Sequence, residues 1–323
     1  MAWVLSFMKD LLRGKRRHLV MVAGIFAMVL VSRGASAFNQ PPMNMGFTNF
    51  ADGGPPSGNQ PGFILFHNTM WIDASTFRDA DGNKLPGRNE ASFLVGTAEL
   101  VYFTPFKDPL TGGLFGWDTI IPVVAGTVTI ASDPSGTTRS NRGGLGDIIF
   151  GPALQWNDHT LFGMPYLHRF EVEISAPTGD FDERFLFNPG SNVWTIQPHY
   201  VQTLWFLPYL NLETSFRHHW RYSTENPDTQ IKPGQVYYVN YATSYGLTQS
   251  LRVGLNGYYV QQLTDDEFRG ADIENSKERA FSLGPGLLYN KGGLTFMLNY
   301  FHEFGVENRP EGYRLQGRLV YKF

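Results

Sequence analysis

The sequence predicts an all-β protein, a transmembrane antiparallel up-and-down β-barrel of about twelve strands. Three observations predict it: an export signal at the amino terminus, a two-faced strand at the carboxyl terminus, and connections that alternate between long and short. Lys9, Arg13, Lys15, Arg16 and Arg17 lead into the apolar run Leu19 to Val31, which Ala35-Ser-Ala37 follows. A basic start, a short apolar core and small residues at an A-x-A site make a secretory signal. The run is too short for a membrane anchor, which needs about twenty apolar residues. Cleavage after Ala37 is expected, so residues 1–37 are set apart from the fold and the chain is placed in the outer membrane of a Gram-negative bacterium.

In the last strand, Tyr313, Leu315, Gly317, Leu319, Tyr321 and Phe323 share one face. Arg314, Gln316, Arg318, Val320 and Lys322 share the other, since successive side chains alternate across a sheet. An apolar face for lipid and a polar face for the lumen, over about ten residues, mark a membrane barrel strand. A soluble sandwich is the rival, but its strands usually have only about five or six residues.

Composition narrows the choice further. Without the signal's six Lys/Arg and one Asp, 20 basic residues face 28 acidic ones, a net charge of −8. That disfavours nucleic acid as a partner. There is no cysteine, which excludes disulfides, thiolate chemistry and a lipid-modified amino terminus. The 35 glycines and 20 prolines supply turns for many strands.

Residues 38–61 come first in the mature chain and are rich in Pro, Gly and Asn. Prolines this dense rule out a ladder strand. The plainer reading is a periplasmic tail; the alternative is an arm tucked into the barrel mouth. The barrel itself takes residues 62–323, with strands near 62–73, 91–104, 114–129, 146–156, 166–176, 193–206, 209–222, 235–247, 250–262, 278–290, 293–304 and 313–323. The seventh, ninth and eleventh alternate cleanly. The first and third are less clear, and in the first Phe63, Leu65 and Trp71 alternate with the equally apolar Ile64, Phe66 and Ile72. Long polar connections follow the first, third, fifth, seventh and ninth strands, and tight turns such as Leu207-Pro208, Thr248-Gln249 and Lys291-Gly292 follow even-numbered ones. Barrels of the outer membrane have long outer loops and short periplasmic turns, and an even strand count returns both termini to one side.

Several segments resemble one family, the outer-membrane proteins named "phenol degradation protein meta", of the MetA pathway of phenol degradation. They are Gly144-Leu-Gly-Asp-Ile-Ile-Phe-Gly-Pro-Ala-Leu-Gln-Trp156, Ala176-Pro-Thr-Gly-Asp-Phe181, Asn188-Pro-Gly-Ser-Asn192, Glu225-Asn-Pro-Asp-Thr229, Gly257-Tyr-Tyr-Val-Gln-Gln-Leu-Thr-Asp-Asp266 and Glu303-Phe-Gly-Val-Glu-Asn-Arg-Pro-Glu-Gly312. The resemblance spans roughly residues 140–323 and is looser before that. It implies a membrane barrel and a role in uptake of hydrophobic, often aromatic, compounds.

Strand parity puts Arg169, Glu171, Glu173, Glu213, Arg217, His219, Arg221, Asn240, Asn256, Gln262, Arg279 and Glu303 on the lumen side, with Glu99. Charges of both signs argue against strong selection for one ion sign. Tyr238, Tyr258, Phe301 and Met297 also face inward, either as a greasy track for aromatic solutes or as simple space filling. Twelve strands about 4.8 Å apart and tilted about 40° enclose a backbone diameter of about 24 Å and a bore of about 10 Å. Asn226 and Asp228, and Thr264, Asp265 and Asp266, read as loop turn formers, with a calcium ion on the two adjacent aspartates as the sharper alternative.

No catalytic group, cofactor or metal is expected. His218 and His219 make a poor metal pair, since neighbours on a strand point to opposite faces. A lipid hydrolase would need a Ser and a His on the lipid side, and no Ser with a familiar signature neighbours His218. The expected partners are membrane lipid, small hydrophobic or aromatic solutes, and the barrel assembly machinery, which would read Tyr321 and Phe323. The expected function is facilitated diffusion of such solutes; a structural or adhesive barrel acting through its loops is the rival from another class.

Overall fold

The structure is a computed structural model that describes residues 41, 43–47, 50–131, 143–206 and 211–323. The signal segment and the expected turn at Leu207-Pro208 lie outside these residues. Twelve strands form the wall: β1 (Gly62–Phe77), β2 (Glu90–Lys107), β3 (Leu114–Thr129), β4 (Ile149–Leu161), β5 (Met164–Ser175) and β6 (Thr195–Phe206). They continue with β7 (Leu212–Ser223), β8 (Val236–Gly246), β9 (Leu251–Gln262), β10 (Arg279–Lys291), β11 (Leu294–Glu307) and β12 (Pro310–Lys322). Each strand pairs antiparallel with its neighbours in sequence, and β1 also pairs with β12, setting Thr69 against Gly317. That seam closes the sheet, so neither β1 nor β12 is left as a free edge. A strand wall can cross hydrocarbon only if closed in this way.

The faces follow the alternation. On β12, Arg314, Gln316, Arg318 and Val320 are buried, while Leu315 and Leu319 are exposed at 39% and 41%. On β11, Met297, Asn299, Phe301 and Glu303 point in, while Phe296, Leu298 and Tyr300 point out. Apolar exterior and polar interior are the reverse of a soluble protein, and an exposed apolar belt of this extent needs lipid to cover it. Trp194, Trp220 and Tyr222 mark one rim of the belt and Phe115, Tyr245, Tyr289 and Tyr321 the other. The shortest strand has 11 residues and the longest 18, enough to cross a tilted span of about ten.

Two boundaries differ from the sequence reading. The expected connection at 305–312 is nearly absent: β11 and β12 run on and meet in a two-residue turn at Asn308-Arg309. Asn308 takes a φ of 52°, which Asn tolerates because its side chain bonds locally, and Pro310 opens β12, a position that needs no ladder donor. The long loops also carry structure. Ile231–Lys232, Asp266–Phe268 and Ala271–Ile273 form a small three-stranded sheet above the wall.

The long-loop end is expected to face the outside. An epitope inserted at Asp81 or Pro227 should be labelled on intact cells, and one at Lys291 should be reached only after the outer membrane is opened. Labelling at Lys291 on intact cells would invert the topology.

Candidate functional site

The lumen is not an empty bore. The arm that precedes β1 runs through it from the long-loop end to the short-turn end. Arg221 donates to the Pro41 carbonyl at 3.0 Å near the top of β7. Lower down, Gly46 N–H donates to Asn240 Oδ1 at 2.9 Å, and Asn240 Nδ2 returns a bond to the Asn44 carbonyl at 2.8 Å. At mid-depth, Arg217 binds both carboxylate oxygens of Asp52, at 2.8 and 2.9 Å. At the bottom, Trp205 Nε1 donates to the Gly54 carbonyl and Asn157 Nδ2 to the Asn59 carbonyl. Gly53 lies so close to Thr203 and the Leu167 carbonyl that a Cβ would fall 2.9 Å from each, which explains a glycine there. The periplasmic-tail reading is therefore replaced: the backbone polarity that bars this segment from a ladder is satisfied by the inward side chains of the wall.

Glu171, Glu173, Glu213, Arg217, His219, Arg221, Tyr238, Asn240, Asn256, Tyr258, Gln262, Phe301 and Glu303 are all buried inside, and Arg169 nearly so. Arg279 is the exception. A bulge after it breaks the register with β11, and its side chain stays 44% exposed at the rim, paired with Glu307. The three aromatics do not line a free track either. Tyr238, Tyr258 and Phe301 pack under Met45 of the arm with Val236 and Val260, and Met297 packs with Phe50. Space filling is the reading that holds. Glu213 and Arg217 are not a pair: Glu213 accepts from Ser215 and Ser244 at 2.8 and 2.5 Å.

A cavity of about 270 Å³ remains beside the arm. Its wall toward β1–β3 is apolar, with Met70, Ile72, Phe93, Val95, Ile120 and Val124. Toward the arm and β12 it is charged, but most of those charges are paired, Glu173 on β5 being a lining residue without a salt bridge among the described residues. Arg314 and Arg309 reach Glu303 at 3.2 and 3.8 Å, Arg309 reaches Glu278 at 3.1 Å, and Arg318 reaches Glu99 at 3.4 Å. An apolar engineered cavity of about 150 Å³ holds benzene, so this space suits one substituted ring. Several of these residues escaped the sequence reading. Asp52 and Asn44 sit in a segment without periodicity, whereas Asp118, His199 and Glu278 could have been found as lone polar residues near or within apolar strands.

Phe187, Asn188, Pro189, Gly190 and Ser191 roof the cavity, held there by one carboxylate. Asp147 accepts from Gly179 N–H at 2.9 Å, from Ser191 N–H at 2.8 Å and from Ser191 Oγ at 2.5 Å. Asn226 Nδ2 donates to the Ser191 carbonyl, and Asn226 Oδ1 caps its own turn at Asp228 and Thr229. Asp228 accepts from Asn192, joining the same roof. Asp265 closes the next loop on itself by accepting from Ser276, while Thr264 and Asp266 tie that loop to the preceding one by accepting from Gln235 and Gly234. Burial pushes the Asp266 carboxyl above its ordinary range. The two aspartates thus turn to separate backbone donors, as turn formers do.

The roof is built from the segments that carried the family resemblance, and comparison with known proteins bears on it directly. A model of the MetA-pathway of phenol degradation family matches residues 74–319. The chain belongs to that family. The match begins at residue 74, near the end of β1, and so covers β2 and β3 as well. No curated protein matches in sequence. Among solved structures, an outer membrane channel from Pseudomonas putida F1 superposes with a TM-score of 0.70 at 13% identity, covering 82% of this chain and 96% of that one. Looser likenesses are the β domain of the Bordetella autotransporter Brka, with a TM-score of 0.48 at 8% identity over 82% and 100% of the two chains, and a deletion mutant of the TodX monoaromatic hydrocarbon channel, with 0.42 at 9% over 83% and 92%.

The arm's anchor is open to test. Asp52→Asn leaves Arg217 buried without its carboxylate, and breaking a buried pair in this way costs about 3–5 kcal/mol. The variant should melt earlier in detergent, and its conductance in planar bilayers should rise as the arm loosens. Unchanged conductance would mean that the arm does not limit the path.

Proposed function

We propose that the protein is an outer-membrane channel for facilitated diffusion of small hydrophobic or aromatic compounds, and that it works as a carrier path and not as an enzyme. The observation that carries this reading is the cavity: about 270 Å³, roofed by loops, with one apolar wall and mostly paired charges opposite. Pairing matters because free charges would hold water, and a neutral ring would then have to displace it. Membership of a phenol-degradation family agrees with a substituted aromatic ring as cargo. In this reading residues 1–37 are a cleaved export signal, residues 38–61 are the arm and residues 62–323 are the pore wall, with the long loops outside. The exposed Tyr321 and Phe323, whose rings lie 5.0 Å apart at the end of the wall, serve as the recognition point for the assembly machinery.

The adhesive or structural reading draws on one observation, the arm that fills much of the lumen. Flux separates the two. Liposomes carrying the purified protein should take up a neutral monoaromatic compound faster than empty ones, and Ile120→Trp, which fills the cavity from β3, should slow that uptake several-fold while leaving the melting temperature near wild type. Equal rates with and without protein would favour the adhesive reading. Replacing both Tyr321 and Phe323 with Asp should leave the chain degraded in the periplasm, because a carboxylate on the lipid face costs free energy and the terminal aromatic is lost. Wild-type surface levels would refute the assembly role.

A further inference from the structure

Three side chains on consecutive strands meet at one level of the lumen wall. His199 on β6 lies opposite His219 on β7, and Glu173 on β5 sits one step up from them. One donor atom from each of Glu173, His199 and His219 lies within 4.8 Å of the other two. All three residues are buried, with 1%, 2% and 1% of their surface exposed. The imidazole chemistry is unfinished. His219 has no hydrogen-bond partner on either ring nitrogen, and His199 has none on Nδ1. Buried polar atoms are nearly always satisfied, and an orphan costs free energy.

We propose that Glu173, His199 and His219 form a binding site for a divalent transition cation of the zinc type. Two imidazoles and a carboxylate are a donor set suited to such ions, with bonds of about 2.0–2.2 Å and room left for a water or solute oxygen. Tetrahedral geometry at those bond lengths sets donor atoms about 3.3 Å apart, so side-chain rotations close the gap without moving the wall. The supporting contacts are also in place. Glu171 accepts a bond from His199 Nε2 at 3.1 Å, which leaves Nδ1 with the lone pair a metal requires. Tyr238 stacks flat on His219 at 4.2 Å and fixes its plane. Asn44 of the arm donates to Glu173 Oε2 at 2.7 Å and orients the carboxylate.

The neighbouring ion pairs leave Glu173 available to a cation. Arg169 pairs with Glu171, Arg217 with Asp52 and Arg318 with Glu99, and among the described residues Glu173 has no salt bridge. Because Asn44 belongs to the arm, the ion would also tie the arm's upper end to the wall.

The test uses the mature untagged barrel, purified in detergent and freed of metal with a chelator. Zn²⁺ titrated by calorimetry should bind at one equivalent, and Cu²⁺ in the same site should give an electron paramagnetic spectrum with two imidazole nitrogens. His219→Gln and Glu173→Gln should each weaken Zn²⁺ binding by more than about 100-fold, and Asn44→Ala by about tenfold, the effect of an orienting partner. Heat-modifiable gel migration checks that each variant is folded, and the wild-type Cu²⁺ spectrum needs no variant. The imidazoles His159 and His168 touch at 2.8 Å on the barrel exterior, so His168→Asn is the control and should leave the affinity unchanged. Absence of one-to-one binding, loss of binding in His168→Asn, or displacement of Zn²⁺ by equimolar Ca²⁺ (which would put the ion on the carboxylates alone) would each overturn the proposal.

Discussion

The ion pair between Asp52 and Arg217 is the interaction on which the interior depends. A guanidinium at mid-depth of a sealed wall needs a carboxylate, and the carboxylate arrives from outside the wall, on the arm. Once bound at both oxygens, it fixes where the arm crosses the lumen. The crossing point decides the rest. On one side Met45 presses onto Tyr238, Tyr258 and Phe301 and removes them from any solute path. On the other side the apolar inner faces of β1–β3 are left uncovered, and that uncovered strip is the cavity. A barrel with the same wall and no arm would be a wide polar tube; with the arm it holds a ring-sized apolar space.

The fold was legible because lipid on one side and water-facing polar groups on the other force a period of two. β7, β9, β11 and β12 carry that period through nearly every residue, and their inward lists match the buried ones. β1 and β3 resisted the same reading for a reason that is now visible. Ile64, Phe66, Met70 and Ile72 point into the lumen although they are apolar, so both faces of β1 look alike. What obscured the strand was the cavity wall. Arg279 misled for a different reason, since a bulge changes parity without changing composition. The arm had no period to read at all; its contacts are from backbone groups to side chains far away in sequence, and only the assembled wall shows which side chains those are.

Three of the segments that carried the family resemblance have a common physical cause. Gly146, Gly179 and Gly190 come together above the cavity, where a Cβ on Gly179 would lie 2.6 Å from the Gly146 carbonyl carbon and 2.7 Å from Gly190 Cα. Glycines let three backbones meet, and Asp147 then collects the donors that the meeting exposes. Short motifs scattered over fifty residues of sequence are thus one roof in space.

The seam between β1 and β12 joins the first and last strands of the wall, and the arm leads directly into β1. Synthesis therefore delivers the arm first and the closing strand last. Between those events β5 to β8 appear, carrying Arg217, Thr203 and Asn240, to which the arm binds. The arm can dock on an open, half-finished sheet, and the final strand then encloses it. What looks in the finished molecule like a cord threaded through a ring needs no threading if the ring is closed around the cord, with the seam shutting after the arm is in place.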